Sequence, residues 1–199
     1  MEYNLYAGFL LRWIHILAGI TWIGMLYFFN FVNVPFQGVL EKELKSRVNP
    51  PLLLRGLWWF RWAAMVTMVI GWTLLLYKYS HLHMWYAAEG GLSAQTTWIL
   101  LGGILGTIMW FNVWFIIWPA QKKIIGFVAA GQAPPEMPAL AKRALLFSRT
   151  NAYLSGPMLF CMIAPTHYPI VTVPAVVGVF VVGLATIWCL IKVSAKAGT

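Results

Sequence analysis

Ionisable side chains are scarce inside the apolar stretches of this sequence, and that scarcity makes each one informative. Arg12 and His15 both fall in an apolar run that begins near Tyr6 and continues to about Pro35. Positions three and seven apart share a helix face, so Arg12, His15, Gly19 and Trp22 form one stripe. A neutral imidazole on such a stripe can ligate haem iron, coordinate another metal or relay a proton. Gly19 removes a side chain from the stripe and lets a flat ring approach. Gly also serves simple helix packing in membranes, and the spacing alone leaves both uses open.

The remaining histidines are His81, His83 and His167. His15 paired with His167 is the preferred ligand set for a bis-histidine haem b. His167 is expected in a turn beyond the fourth helix, about 10 Å from the depth of His15 at 1.5 Å per residue. The His81-x-His83 pair has no carboxylate or cysteine to complete a metal set. A second group of polar residues comprises Asn30, Asn33, Arg61, Asn112, Arg149 and Asn151. Arg61 and Arg149 either snorkel to headgroups or clamp an anion such as a haem propionate. Asn112, between Trp110 and Trp114, reads as an interhelical hydrogen bond. Cys161 and Cys189 belong to no CxxC or CxxCH pattern and read as small buried thiols. No Gly-rich phosphate loop, nucleophile elbow or HExxH is present.

The elements that must position these groups follow from composition. Of 199 residues, 61% are hydrophobic and only 10% charged, with a mean hydropathy of +0.74. A soluble domain carries about 25% charged residues, so disorder and an ordinary cytosolic enzyme are excluded. The net charge of +9 does not indicate nucleic acid, because the basic residues lie between apolar runs rather than on one polar face. An all-α membrane bundle is expected, since a lipid-exposed backbone must satisfy its own hydrogen bonds. About 20 apolar residues span a bilayer, and five runs qualify, at about 6–34, 58–79, 98–118, 145–164 and 170–193. They form a single domain over 1–199. The first run is too long for a cleaved signal segment.

Lys42, Lys45, Arg47 and Arg55 fall between the first two runs, and Lys122, Lys123, Lys142 and Arg143 between the third and fourth. Residues 80–97 and 165–169 contain no Lys or Arg. The positive-inside rule then places the N-terminus outside and the C-terminus inside. Under this topology all four histidines gather on the outer side, which suits a haem b near the outer face. Pro50-Pro51 and Pro134-Pro135 are expected to break the two inner loops, and Pro165 and Pro169 to bracket the outer turn.

The segment from Arg12 to Gly24, RWIHILAGITWIG, resembles the first helix of the urate oxidase N-terminal domain family. Further stretches are similar in order: Phe28–Val32 (FFNFV), Leu57–Trp62 (LWWFRW), Phe111–Pro119 (FNVWFIIWP), Ser148–Asn151 (SRTN) and Thr166–Pro169 (THYP). The resemblance implies the membrane part of a bacterial, cytochrome-c-linked urate oxidase in the cytoplasmic membrane. That enzyme carries a cytochrome c domain after the membrane part, and no CxxCH occurs in these 199 residues. A separate cytochrome c or respiratory partner is therefore expected to accept electrons. The surroundings of the first-helix histidine are also similar to bacterial membrane protoporphyrinogen oxidase, which implies haem b at His15. The expectation is a redox-linked membrane protein, with an accessory subunit of a larger membrane complex as the alternative. A small-solute or anion transporter using Arg61 and Arg149 is a third reading. The scarcity of acidic residues, five in all, argues against a cation pump.

Overall fold

The computed structural model of the chain describes residues 2–81, 86–87, 90–168 and 170–197. Five long helical columns hold nearly all of them. The first, α1, runs Glu2–Tyr27, loosens into a π-helical turn at Phe28–Asn33 and resumes over Val34–Val39. α2 spans Lys42–His81. α3 runs Ala94–Phe111, passes through a second π-helical turn at Asn112–Ile117 and continues over Trp118–Ala129. α4 spans Met137–His167 and α5 spans Val173–Ser194. Among the described residues the only extended pairing is an isolated bridge between Tyr86 and Leu92.

Local chemistry sets several of these boundaries. The Ser93 hydroxyl accepts from the Thr96 N–H at the start of α3, and the Thr172 hydroxyl from the Ala175 N–H at the start of α5. Each satisfies a backbone donor that the first helical turn leaves open. The two π turns share a cause. Val34 N–H donates to Phe29 O and Trp118 N–H to Val113 O, each five residues back. The following residue is Pro35 in one case and Pro119 in the other. Proline has no N–H and crowds the preceding turn, and the wider π register accommodates it.

The helices extend further than the apolar runs suggest, and three expectations about the connections change. Pro50-Pro51 lie inside α2 rather than in a loop. Two prolines leave the carbonyls of Ser46 and Arg47 without helical donors, but both residues are exposed, so solvent can serve them. A reciprocal amide pair between Gln37 and Asn49, at 2.8 and 3.0 Å, ties this stretch back to α1. The third helix does not stop at Trp118 but continues to Ala129, and Pro134-Pro135 do fall in the break before α4. Pro165 and His167 belong to the last turns of α4. Pro169 and His83 lie outside the described residues.

Among the described residues four helices are long and apolar enough to cross a membrane: Leu5–Val39, Glu43–Tyr77, Ala94–Ala129 and Val173–Ser194. The chain is a multi-pass membrane protein on that ground. α4 falls outside the same measure because it is the polar, central helix. It buries Asn151, Ser155, Met158, Cys161 and Ala164 against its neighbours and meets α1, α3 and α5. The polar face of α4 turns to protein, while Leu145, Leu146 and Ile163 are exposed on the rest of the helix. α1 packs along α2 instead. The main core joins Trp22 and Leu26 of α1, Phe60 and Ala64 of α2, Met109 and Val113 of α3, and Met158 of α4. α4 and α5 touch backbone to backbone at Gly156 and Gly183, where a Cβ on Gly156 would come within 2.6 Å of the Gly183 carbonyl oxygen.

Candidate functional site

The N-terminal half of α1 carries the stripe of Arg12, His15, Gly19 and Trp22, and α2 is the wall behind it. The His15 ring is half-buried, and its Nδ1 lies 3.0 Å from the Thr67 carbonyl oxygen. A carbonyl can only accept, so Nδ1 carries the hydrogen and the Nε2 lone pair is left for another partner. The ring lies directly over Gly71, where a Cβ would meet His15 Cε1 at 2.7 Å. Any larger residue at position 71 would displace the imidazole. Backbone hydrogen bonding at one ring nitrogen is the device by which proteins orient a metal-ligating histidine.

The other members of the stripe differ in environment. Arg12 is exposed one turn outward. A Cβ on Gly19 would make an ordinary contact with the Thr67 methyl, at 3.9 Å, so this residue also faces α2. Trp22 is 2% exposed, yet its indole Nε1 is buried without a hydrogen-bond partner. A buried donor without an acceptor is costly, about 1–3 kcal/mol, and is the kind of atom a bound group would satisfy. Of the stripe, His15 Nε2 is the atom that would hold a metal or a haem iron.

His167 stands elsewhere. It is exposed in the last turn of α4, next to an aromatic cluster that closes the ends of α3, α4 and α5. There Trp98 is fully buried, packs on Phe160 and Tyr168, and donates from Nε1 to the Ile170 carbonyl at 3.2 Å. The described partners of His15 are on α2, and no described hydrogen bond joins His15 to His167. The described residues include no group of three or more His, Cys, Asp or Glu suited to a metal ion.

Toward the opposite ends of the helices the polar residues pair across helices. Asn112 Nδ2 donates to Asn151 Oδ1 at 2.8 Å, and Asn151 Nδ2 donates to the Met109 carbonyl at 2.9 Å. This is the interhelical bond expected of Asn112. Asn30 Nδ2 donates to the Leu26 carbonyl and to Ser148 Oγ, both at 2.9 Å. Tyr27 and Ser155 share a hydrogen bond of 2.9 Å. Arg61 is caged by aromatic rings, its guanidinium 4.0 Å from the Trp118 ring centre and 5.4 Å from that of Trp114. Its Nε, and Nη1 of Arg149, are buried without hydrogen-bond partners. Cys161 is buried and Cys189 exposed, and both are free thiols.

Sequence reasoning missed Thr67 and Gly71. A backbone carbonyl has no sequence signature, and a glycine in an apolar helix reads as packing. The Thr-x-x-x-Gly spacing from Thr67 to Gly71 on α2 is the available hint, because positions four apart face the same way.

A family model described as urate oxidase N-terminal matches residues 80–196. The match covers α3, α4 and α5, including His167, and the His15 stripe precedes it. No curated protein and no solved structure matches the chain.

Proposed function

The chain belongs to the urate oxidase N-terminal family, and from that premise we propose a redox role: a haem b held on the outer half of α1, with electrons passed to a cytochrome c or another respiratory partner. The observation that carries this reading is His15, whose Nδ1 is committed to the Thr67 carbonyl and whose Nε2 is left to bind iron. His167 would be the second residue to hold the iron under the same reading. Arg12 would supply a cation for a propionate, Gly19 adds no side chain to the stripe, and Trp22 Nε1 is a donor without a partner in the fold. Haem bound there would supply one-electron storage.

The chain's own residues do the rest. The Thr67 carbonyl fixes the imidazole's tautomer and orientation and raises its basicity as a ligand. The five helices insert with the N-terminus outside, α4 crossing at the centre of the bundle.

The test is a dithionite-reduced minus oxidised visible spectrum of protein purified from its native membrane. A sharp b-type α band is expected, lost in His15→Ala and shifted or weakened in His167→Ala. Full haem occupancy in His15→Ala would remove His15 as ligand. No band in a folded, intact sample would sink the redox reading and favour an accessory subunit of a membrane complex.

A further inference from the structure

A cleft of about 170 Å³ lies far from the His15 stripe. Asn33, on its wall, is eighteen residues further along α1, roughly 27 Å at the helical rise. Both π turns contribute to its wall, Phe29 and Asn33 from the first and Ile117 from the second. π turns inside α-helices recur at functional sites. Gln121 of α3, Phe60 of α2 and Ser148 of α4 complete the part that matters.

Hydrogen-bond accounting gives the cleft its chemistry. Asn33 Oδ1 accepts from Gln37 Nε2 at 3.3 Å, which leaves the Asn33 amide N–H groups without a described acceptor. Ser148 Oγ accepts from Asn30 Nδ2, which leaves its own O–H to donate. The Gln121 amide has no described partner at all. Three groups able to donate therefore line the cleft, and no charged side chain does. Phe29 and Phe60 stand edge to face there, with ring centres 5.6 Å apart. The matching ligand is an uncharged planar ring bearing carbonyl acceptors. The volume suits a single ring, since a cavity of about 150 Å³ holds benzene. At the rim Leu145 is exposed and continues into exposed Leu146, an apolar exit suited to an alkyl chain.

We propose that this cleft binds the headgroup of a membrane quinone. The carbonyl oxygens accept from Ser148, Gln121 and Asn33, the ring lies against Phe29 and Phe60, and the tail leaves past Leu145 into the bilayer. The assignment concerns binding, and it stands independently of the haem reading.

The test uses the full chain in lipid nanodiscs and a decyl-tailed benzoquinone, measured as retention above empty nanodiscs. Saturable binding of one molecule per chain is expected. Gln121→Leu should weaken it about five-fold, the worth of one net hydrogen bond, with an unchanged melting temperature because Gln121 makes no described bond within the fold. Ser148→Ala gives a second reading, since Asn30 keeps its bond to the Leu26 carbonyl. Absence of saturable binding would overturn the proposal, as would wild-type affinity in both variants. Uracil, a tailless ring with similar carbonyls, should fail to compete at matched concentration. Tighter binding of uracil than of the quinone would overturn the membrane source. A haem spectrum of the same sample reads the redox proposal separately.

Discussion

His15 is fixed at two points on α2, by a hydrogen bond to the Thr67 carbonyl and by the open surface of Gly71. Gly71→Ala separates a ligand role from a packing role. The new methyl would sit 2.7 Å from Cε1, and the ring, at the end of a rotatable side chain, would swing off the carbonyl. Losing that bond should cost about 1 kcal/mol, so the protein should still fold. If His15 binds iron, the b-type band should shift or disappear in Gly71→Ala although His15 itself is intact. A wild-type spectrum with a lowered melting temperature would leave His15 a packing residue only. The candidate stripe was legible because Arg12, His15, Gly19 and Trp22 lie on one helix, where spacing fixes the face. Its supporting partners are 52 and 56 positions away on another helix, and no periodicity links them.

Helices were legible where apolar runs were long, and their ends were not. Pro50-Pro51 and Pro119 look like stops, yet the chain continues through them. Exposed carbonyls beside one pair and a π turn before the other remove the usual penalty. α4 was legible as a helix, but its central position was not. Its polar residues resemble an inner-loop border until Asn151 is seen bonded to both Asn112 and Met109. The contact of α4 with α5 depends on two glycines. Gly183→Val should separate these helices, because a Cβ there would already lie 2.8 Å from the Pro157 nitrogen. Backbone cannot yield as a side-chain tip does. The expected loss is about 1–3 kcal/mol, typical of overpacking, read as a lower melting temperature in detergent. Gly178→Val on the same helix has nothing within 4 Å of its Cβ position and should be nearly silent. Equal melting temperatures for the two variants would show that α5 does not pack at Gly183.

The whole molecule must also be oriented, and its charges bear on that. Eight of the basic residues, including Lys45, Lys122 and Arg143, fall in residues 35–57 and 119–144, while residues 80–97 contain none. The Gln37–Asn49 pair joins α1 to α2 near the first basic stretch, and the 130–136 connection between α3 and α4 lies within the second. Each Lys or Arg near an anionic leaflet is worth about 1 kcal/mol, so a basic end and a neutral end differ by several kcal/mol in favour of the basic end inside. The check is labelling of intact cells with a membrane-impermeant maleimide, in a background with Cys161 and Cys189 replaced by alanine. Leu92→Cys, exposed between α2 and α3, should react from outside. Gln132→Cys, exposed between α3 and α4, should react only after permeabilisation. The reverse pattern would move more than the loops. The His15 stripe would then face the cytoplasm and the quinone cleft the outer leaflet. A haem there could no longer serve an outer cytochrome c, whereas the cleft would still reach quinone, which is present in both leaflets. Orientation therefore decides, at the scale of the whole bundle, whether a haem on the stripe could serve an outer cytochrome c, independently of whether either site binds its ligand.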